Sequence, residues 1–182
     1  MSYEVRSSEK LRKSGADSET KALLYLMNYR EDSTKMHFFV VDFFNDITGM
    51  DSAARKLWDV QSKASKTGSA KTIGRELVTL YKNYVSDLQF VEYIIFLGGV
   101  PNTFRKDSTQ SVFTIDNVND TALKSIKAGL VEECNKKEYI SDSEIDDDKI
   151  ESFLKVVWFV IDDKKPEDYI KKIIEKHPAI IP

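Results

Sequence analysis

The chain has 182 residues, a formal net charge of −3 and 41% hydrophobic residues, which suits one domain with a buried core. Its apolar runs are too short to cross a bilayer, and no charged start followed by an apolar segment indicates a signal peptide. The lone cysteine, Cys134, excludes an intramolecular disulfide framework, and two histidines are too few for a histidine-rich metal site. These features predict a cytoplasmic protein that makes no membrane contact.

The first third of the chain predicts an arm, a helix and two strands. Residues 1–17 are polar and without periodicity, which is typical of an N-terminal arm. Ser18 followed by Glu19 favours a helix start, and an apolar stripe at helical spacing follows. Residues 36–48, rich in Phe and Val, predict one strand, and residues 56–65 predict a second that could pair with it as a hairpin.

The rest of the chain predicts alternating helices and strands. Residues 72–87 have the spacing of an amphipathic helix, and Pro166 favours the start of a last one. The remaining apolar segments predict strands at 90–97, 112–115 and 154–161 and a helix over 123–134. We therefore expect residues 18–182 to form a single α/β domain, with a mixed β-sheet and helices on both of its faces.

The second predicted strand carries the candidate chemistry. Alternate side chains of a strand share a face, so Asp59, Gln61 and Lys63 should project together and leave Trp58 and Val60 for the core. In a hairpin, Asp46 of the preceding strand would come close to that face. Two oxygen donors and an ammonium group are what metal-assisted phosphodiester cleavage needs.

The residue types suggest a division of roles. Asp46 would be the anchoring metal ligand, Gln61 a neutral amide-oxygen ligand, and Lys63 the ammonium that orients water or stabilises developing charge. An amide leaves the site less anionic than a glutamate would, so a further acid is expected, with Glu19 the best candidate. Asp42 competes with Asp46 as the ligand.

Each of these residues also has an ordinary structural explanation. Asp46 could form a turn, Glu19 could be a favourable acid in the first turn of a helix, and Asp59 could pair with Lys56 or Lys63. Xaa-Gln-Xaa-Lys is common by itself, so only the combination indicates a site.

Basic residues concentrate around the candidate site. Seven Lys and Arg residues lie between Arg55 and Lys82, against two acids. Lys66, Lys71 and Arg75 are the candidates to contact a phosphate backbone, although a solvated surface explains them equally well. The acids concentrate between Asp142 and Asp148, where an exposed loop is favoured over a segment that shields the site.

Asp46-Ile47 followed by Val60-Gln61-Ser62-Lys63 resembles the restriction-endonuclease-like PD-(D/E)xK superfamily, in the variant with Gln in place of the acid. With residues 74–84, 93–97 and 159–162, the chain is similar over residues 15–176 to the double-stranded-DNA nuclease domain of nucleotide-activated and other bacterial antiphage effectors. The resemblance implies a Mg²⁺- or Mn²⁺-dependent endonuclease that cleaves duplex DNA with little sequence preference, and it leaves open whether one or two metals bind.

The same resemblance implies partners. Such domains are usually fused to a sensor or oligomerisation module, so the chain is expected to be excised from a longer effector or to act with a separately encoded partner, as a homo-oligomer in some cases. Two alternatives stay open: a non-catalytic module on the same fold that binds DNA or protein, and a nuclease directed at RNA.

Overall fold

The computed structural model describes residues 13–30 and 32–176. The helices are α1 (Lys13–Asn28), α2 (Ala70–Glu76), α3 (Val78–Tyr84), α4 (Asp120–Cys134), α5 (Asp147–Val156) and α6 (Pro166–Lys176). The strands are β1 (Phe38–Val41), β2 (Ile47–Met50), β3 (Leu57–Lys63), β4 (Phe90–Leu97), β5 (Val112–Phe113) and β6 (Val157–Ile161).

The six strands form one mixed sheet in the order β1-β2-β3-β4-β6-β5. β1, β2 and β3 pair antiparallel, β3, β4 and β6 pair parallel, and β5 closes the far edge antiparallel to β6. Parallel neighbours need crossover connections, and these are supplied by α2–α3 and by the segment that contains α4 and α5. The predicted α/β class, a mixed sheet flanked by helices, is confirmed.

Two apolar clusters cover the two faces of the sheet. On one face α1 and α6 pack against the even-numbered side chains of the central strands, including Trp58, Val60, Ile94 and Phe96. On the other face α2, α3, α4 and α5 pack against the odd-numbered side chains, including Tyr93 and Ile95. Because β3 lies between the two helical layers, nearly all of it is buried.

The first predicted strand is two strands. Residues 36–48 contain β1, a tight loop from Asp42 to Asp46 and the start of β2. Asp42 adopts a left-handed backbone conformation with φ of 55°, and its N–H donates to the Asp46 carbonyl at 3.1 Å. Asp tolerates this conformation better than a bulky residue does, so the apolar run can reverse direction without a glycine.

Other predicted boundaries also change. Residues 13–17, which were predicted to belong to the arm, lie in α1, and the rest of the predicted arm, residues 1–12, lies outside the described residues. The helix predicted over 72–87 begins at Ala70, because the Ser69 hydroxyl caps it by accepting from the Thr72 N–H, and Leu77 divides it into α2 and α3. The strand predicted from residue 154 begins at Val157, since α5 runs directly into β6.

The described part of the chain contains no helix that is both long enough and apolar enough to span a membrane.

Two glycines allow α2 and α4 to approach closely. A Cβ on Gly74 would lie 2.1 Å from the carbonyl oxygen of Ile126, and one on Gly129 would lie 2.1 Å from the carbonyl oxygen of Lys71. Both distances are much shorter than van der Waals contact, so a side chain does not fit at either position. The backbones of α2 and α4 are in direct contact at these two glycines. The contact sets the height of α2 above the sheet, and with it the position of the residues that face β3.

We expect Gly74→Ala to lower the free energy of unfolding by about 2–3 kcal/mol, because the added methyl group must displace the backbone of α4. Urea denaturation followed by circular dichroism measures this. Gly68→Ala is the matched control, since its Cβ would meet only side-chain atoms at 3.8 Å, and we expect a change within about 0.5 kcal/mol. Equal losses in the two variants would contradict the close packing of α2 on α4.

Candidate active site

Asp46 and Gln61 are in direct contact at the end of the β2–β3 hairpin. Ile47, the first residue of β2, pairs with Val60, so Asp46, the residue just before β2, lies beside Gln61. One oxygen of Asp46, Oδ2, accepts hydrogen bonds from the Gln61 amide at 2.8 Å, the Ser62 N–H at 2.7 Å and the Ser62 hydroxyl at 3.0 Å. The pairing of β2 with β3 stops at Val60, and the Asp46 carboxylate accepts the hydrogen bond of the Ser62 N–H beyond that point.

A row of polar side chains on β3 meets a matching row on α2 and α3. The predicted common face of Asp59, Gln61 and Lys63 is confirmed, but Asp59 and Gln61 are buried against helices and only Lys63 is partly exposed. Each residue of the row has its own partner. Lys63 forms an ion pair with Glu76, in which Nζ lies 2.9 Å from Oε2. The Thr79 hydroxyl donates to Gln61 Oε1 at 2.8 Å, and the Asn83 amide donates to an Asp59 oxygen at 2.7 Å. Positions 76, 79 and 83 share one face of a helical segment, which explains the match.

Asp59 is a fully buried carboxyl group with amide partners. Its side chain is 0% exposed and accepts from Asn83 and from the Asn45 amide, which lies 2.9 Å from both oxygens. The alternative in which Asp59 pairs with Lys56 or Lys63 is therefore wrong, since amides surround it and Lys63 pairs with Glu76. Burial raises the pKa of Asp59 to about 7 despite the two amide donors, and the nearby charge of Asp46 adds to the increase.

Asp46 is less deeply enclosed and has one free oxygen. Burial raises the pKa of its carboxyl group, while the hydrogen bonds from Ser62 and the charge of Lys63 act in the opposite direction. The Asp46 carboxylate accepts three hydrogen bonds, one from Gln61 and two from Ser62, and all three end on Oδ2. Among the described residues no donor contacts Oδ1, so that oxygen has its lone pairs open to a further ligand.

The oxygen atoms around Gln61 would suit a hard cation once the Gln61 amide is turned. The amide nitrogen, which carries partial positive charge, lies 2.8 Å from Asp46 Oδ2 and 3.5 Å from the Ser62 carbonyl oxygen. A half-turn of the amide would direct Oε1 toward the same place, and the Thr79 hydroxyl could then accept where it now donates. One carboxylate with neutral oxygens and water is a donor set that Mg²⁺ accepts. Within residues 13–30 and 32–176 no three His, Cys, Asp or Glu side chains converge to hold a metal.

The side chains of the two other candidate ligands take no part in this contact. Asp42 is exposed at the start of the loop, whereas Asp46 at its end reaches Gln61, so the geometry favours Asp46 of the two. Glu19 lies in α1, and α1 packs on the face of the sheet opposite to the side chains of Gln61 and Lys63. A role for Glu19 as a further acid stays a prediction.

The three basic candidates differ in their surroundings. Lys71 and Arg75 on α2 both pair with Glu132 of α4, at 2.7 and 2.8 Å. The contact with Lys71, together with that of Lys136 on α4 and the charge of Arg75, holds the pKa of Glu132 well below its usual range. Lys66 is exposed in the loop after β3, and no carboxylate of the described residues pairs with it. A phosphate group would have to displace Glu132 to reach Lys71 or Arg75, whereas Lys66 is accessible.

Several residues that contact the polar row or lie beside it were missed from the sequence. Glu76, Thr79 and Asn83 read as the polar side of an amphipathic helix, and Asn45 reads as part of an apolar strand. The available signal was the spacing of the three helical residues, which matches the alternation of polar residues on β3. For Asn45 the only signal was its place among Asp and Asn residues that favour turns.

No protein-family model matches the chain, and no curated protein or solved structure matches it. The resemblance to the PD-(D/E)xK superfamily therefore stays a prediction that depends on the residues described above.

We expect the buried carboxyl group of Asp59 to make stability depend on pH. Its folded pKa of about 7 lies above its unfolded value, so the folded state binds the extra proton between about pH 4 and pH 7. The stabilisation is fully present below that window and is lost as the pH rises through 7. Between pH 5 and pH 8 the wild type should lose about 2–3 kcal/mol of unfolding free energy relative to Asp59→Asn.

Urea denaturation of both proteins at several pH values measures the difference. Asp116→Asn is a control, since that carboxyl group lies on an exposed surface away from the site. A stability difference between wild type and Asp59→Asn that is constant from pH 5 to pH 8 would show that Asp59 titrates normally.

Proposed function

We propose that this protein is a divalent-metal-dependent endonuclease that hydrolyses phosphodiester bonds of double-stranded DNA. The observation that supports the proposal best is the contact between Asp46 and Gln61, with Lys63 two residues further along β3 on the face of Gln61. An acid and an amide thus meet beside the strand position of an ammonium group, and the amide oxygen would face the acid after the half-turn of Gln61 described above. These are the groups that the resemblance to the PD-(D/E)xK superfamily implies.

The residues divide the work as follows. Asp46, through its free Oδ1, and Gln61, through its amide oxygen, would hold a Mg²⁺ or Mn²⁺ ion, which when bound lowers the pKa of water and neutralises phosphate charge. The side chain of Lys63 is 39% exposed, so its ammonium group can reach a phosphate oxygen or an attacking water. Glu76 pairs with this ammonium and so holds it in place beside the hairpin.

Substrate binding would use the basic surface beside the hairpin. Lys66 follows the candidate site in sequence and is exposed, and Lys71 and Arg75 become available if phosphate displaces Glu132. Contacts of this kind recognise a backbone rather than bases, which agrees with little sequence preference. The same proposal includes what the resemblance implies about biological role and partners: antiphage defence, a sensor module and a homo-oligomeric state.

We expect Asp46→Ala and Lys63→Ala each to reduce cleavage of plasmid DNA by roughly 100-fold or more in Mg²⁺ or Mn²⁺, since one removes a ligand and the other the ammonium group. Gel electrophoresis of the products measures the rate. Lys155→Ala removes an exposed lysine from α5 and should cleave like the wild type. Undiminished cleavage by Lys63→Ala would refute the assigned site.

The substrate and the rival class are tested with the same protein. Matched DNA and RNA duplexes decide between a deoxyribonuclease and a ribonuclease. A wild type that binds duplex DNA but cleaves neither duplex, alone or assembled with its partner, would favour a non-catalytic module. The assembled form belongs in the test because nuclease domains of this class can need assembly to act.

We expect Gln61→Glu to raise the affinity for Mn²⁺ about tenfold, because a second anionic oxygen would face the ion, and tenfold corresponds to about 1.4 kcal/mol. Isothermal titration calorimetry measures the affinity. Without metal the same variant should be less stable than the wild type, because two carboxylates would lie side by side.

Gln110→Glu makes the same change in charge on an exposed loop and is the matched control. If both variants bind Mn²⁺ as the wild type does, Gln61 does not face the metal.

A further inference from the structure

Asp46 is the last residue of a short loop, and the two residues before it have their own contacts with the sheet. The loop, residues 42–46, connects β1 to β2 and is closed by the hydrogen bond from the Asp42 N–H to the Asp46 carbonyl. The side chains of Phe44 and Asn45 lie over the face of the sheet that carries Asp59. The Phe44 ring lies 5.3 Å from the Phe90 ring at an edge-to-face angle, which is a favourable aromatic contact.

A second attachment of the loop is polar. The amide nitrogen of Asn45 lies 2.9 Å from both oxygens of Asp59, which is 0% exposed and anchored in the middle of β3. A buried carboxyl group with few donors holds each of them firmly, because releasing one leaves an uncompensated polar group away from water. Asn45 is therefore fixed to the sheet immediately before Asp46 in the chain.

We infer that Asn45 and Asp59 are positioning residues, which set the Asp46 carboxylate against Gln61 and Ser62 and so prepare the cation site. This inference rests on the metal-binding half of the proposed function. Asn45 and Asp59 do not touch the cation. Their contribution is to restrict the loop, so that Asp46 does not have to be ordered when the ion binds.

A matched residue separates positioning from stability. Asn83 donates to the same Asp59 carboxyl group at 2.7 Å, yet it lies in α3 and has no chain connection to Asp46. Replacing either asparagine by alanine removes one donor from Asp59. Only the replacement of Asn45 releases the loop.

The experiment compares Mn²⁺ binding by the wild type, Asn45→Ala and Asn83→Ala, using isothermal titration calorimetry on the full chain. We expect Asn45→Ala to weaken Mn²⁺ binding about tenfold and Asn83→Ala to change it less than about twofold. Both should lose stability by similar amounts in urea denaturation, since each removes a hydrogen bond to one buried carboxyl group. Equal Mn²⁺ affinities of the two variants would overturn the inference.

A double-mutant cycle tests whether Asn45 acts through Asp59. In the background of Asp59→Ala, adding Asn45→Ala should leave the Mn²⁺ affinity unchanged, because the contact is already lost. A further tenfold loss would show that Asn45 acts by another route and would overturn the pairing. If Asn45→Ala does not fold, Asn45→Ser and Asn83→Ser provide the same comparison with a shorter donor.

The two proposals fail in different ways. A wild type that binds no Mn²⁺ refutes the metal site and the positioning role together. A wild type that binds Mn²⁺, with Asn45→Ala binding as tightly as the wild type does, refutes the positioning role alone and leaves the metal site standing.

Discussion

The central constraint of this structure is that β3 is covered by helices on both faces and yet carries polar side chains. An apolar residue could be buried there without conditions, but Asp59 and Gln61 need hydrogen-bond partners once water is excluded. Those partners are Asn83 and Thr79 of α3, together with Asn45 and Asp46 of the hairpin. The orientation of α3 and the path of the 42–46 loop are therefore those that give the buried polar side chains of β3 their hydrogen-bond partners.

This constraint makes the helix packing part of the site. α3 can meet the polar row only if the segment before it lies at the correct height above the sheet, and that height depends on the contact of Gly74 with the backbone of α4. The ion pair of Lys63 with Glu76 lies at the end of the same helical segment. Residues that touch no candidate ligand thus determine where the ammonium group and the amide partner lie.

The sequence predicted those parts of the fold where one periodicity applied. The alternation of residues 58–63 correctly placed Trp58 and Val60 on one side of β3 and the polar row on the other. The uninterrupted apolar run of β4 correctly predicted a strand over residues 90–97. The proximity of Asp46 to Gln61 also followed from a hairpin. Where two elements shared one apolar run, the pattern failed: the loop between β1 and β2 contains two phenylalanines, and α5 joins β6 without a linker. The helical partners Thr79 and Asn83 were not predicted, because a polar helix face looks the same whether it meets water or a buried carboxyl group. Only the match of their spacing to the polar row of β3 could have indicated them.

The candidate site is also local in the chain. The candidate ligands, the polar row and the side chains that contact that row, from Asn45 to Asn83, come from one hairpin, the loop before it and the helical segment that follows it. Among the described elements from β5 onward, α4 affects the polar row through its contact with Gly74, and the others contribute core without a hydrogen bond to that row. Sequence drift, insertion or fusion at β5, β6 or α6 can therefore alter the outline and partners of the domain while the chemistry of the hairpin remains as it is.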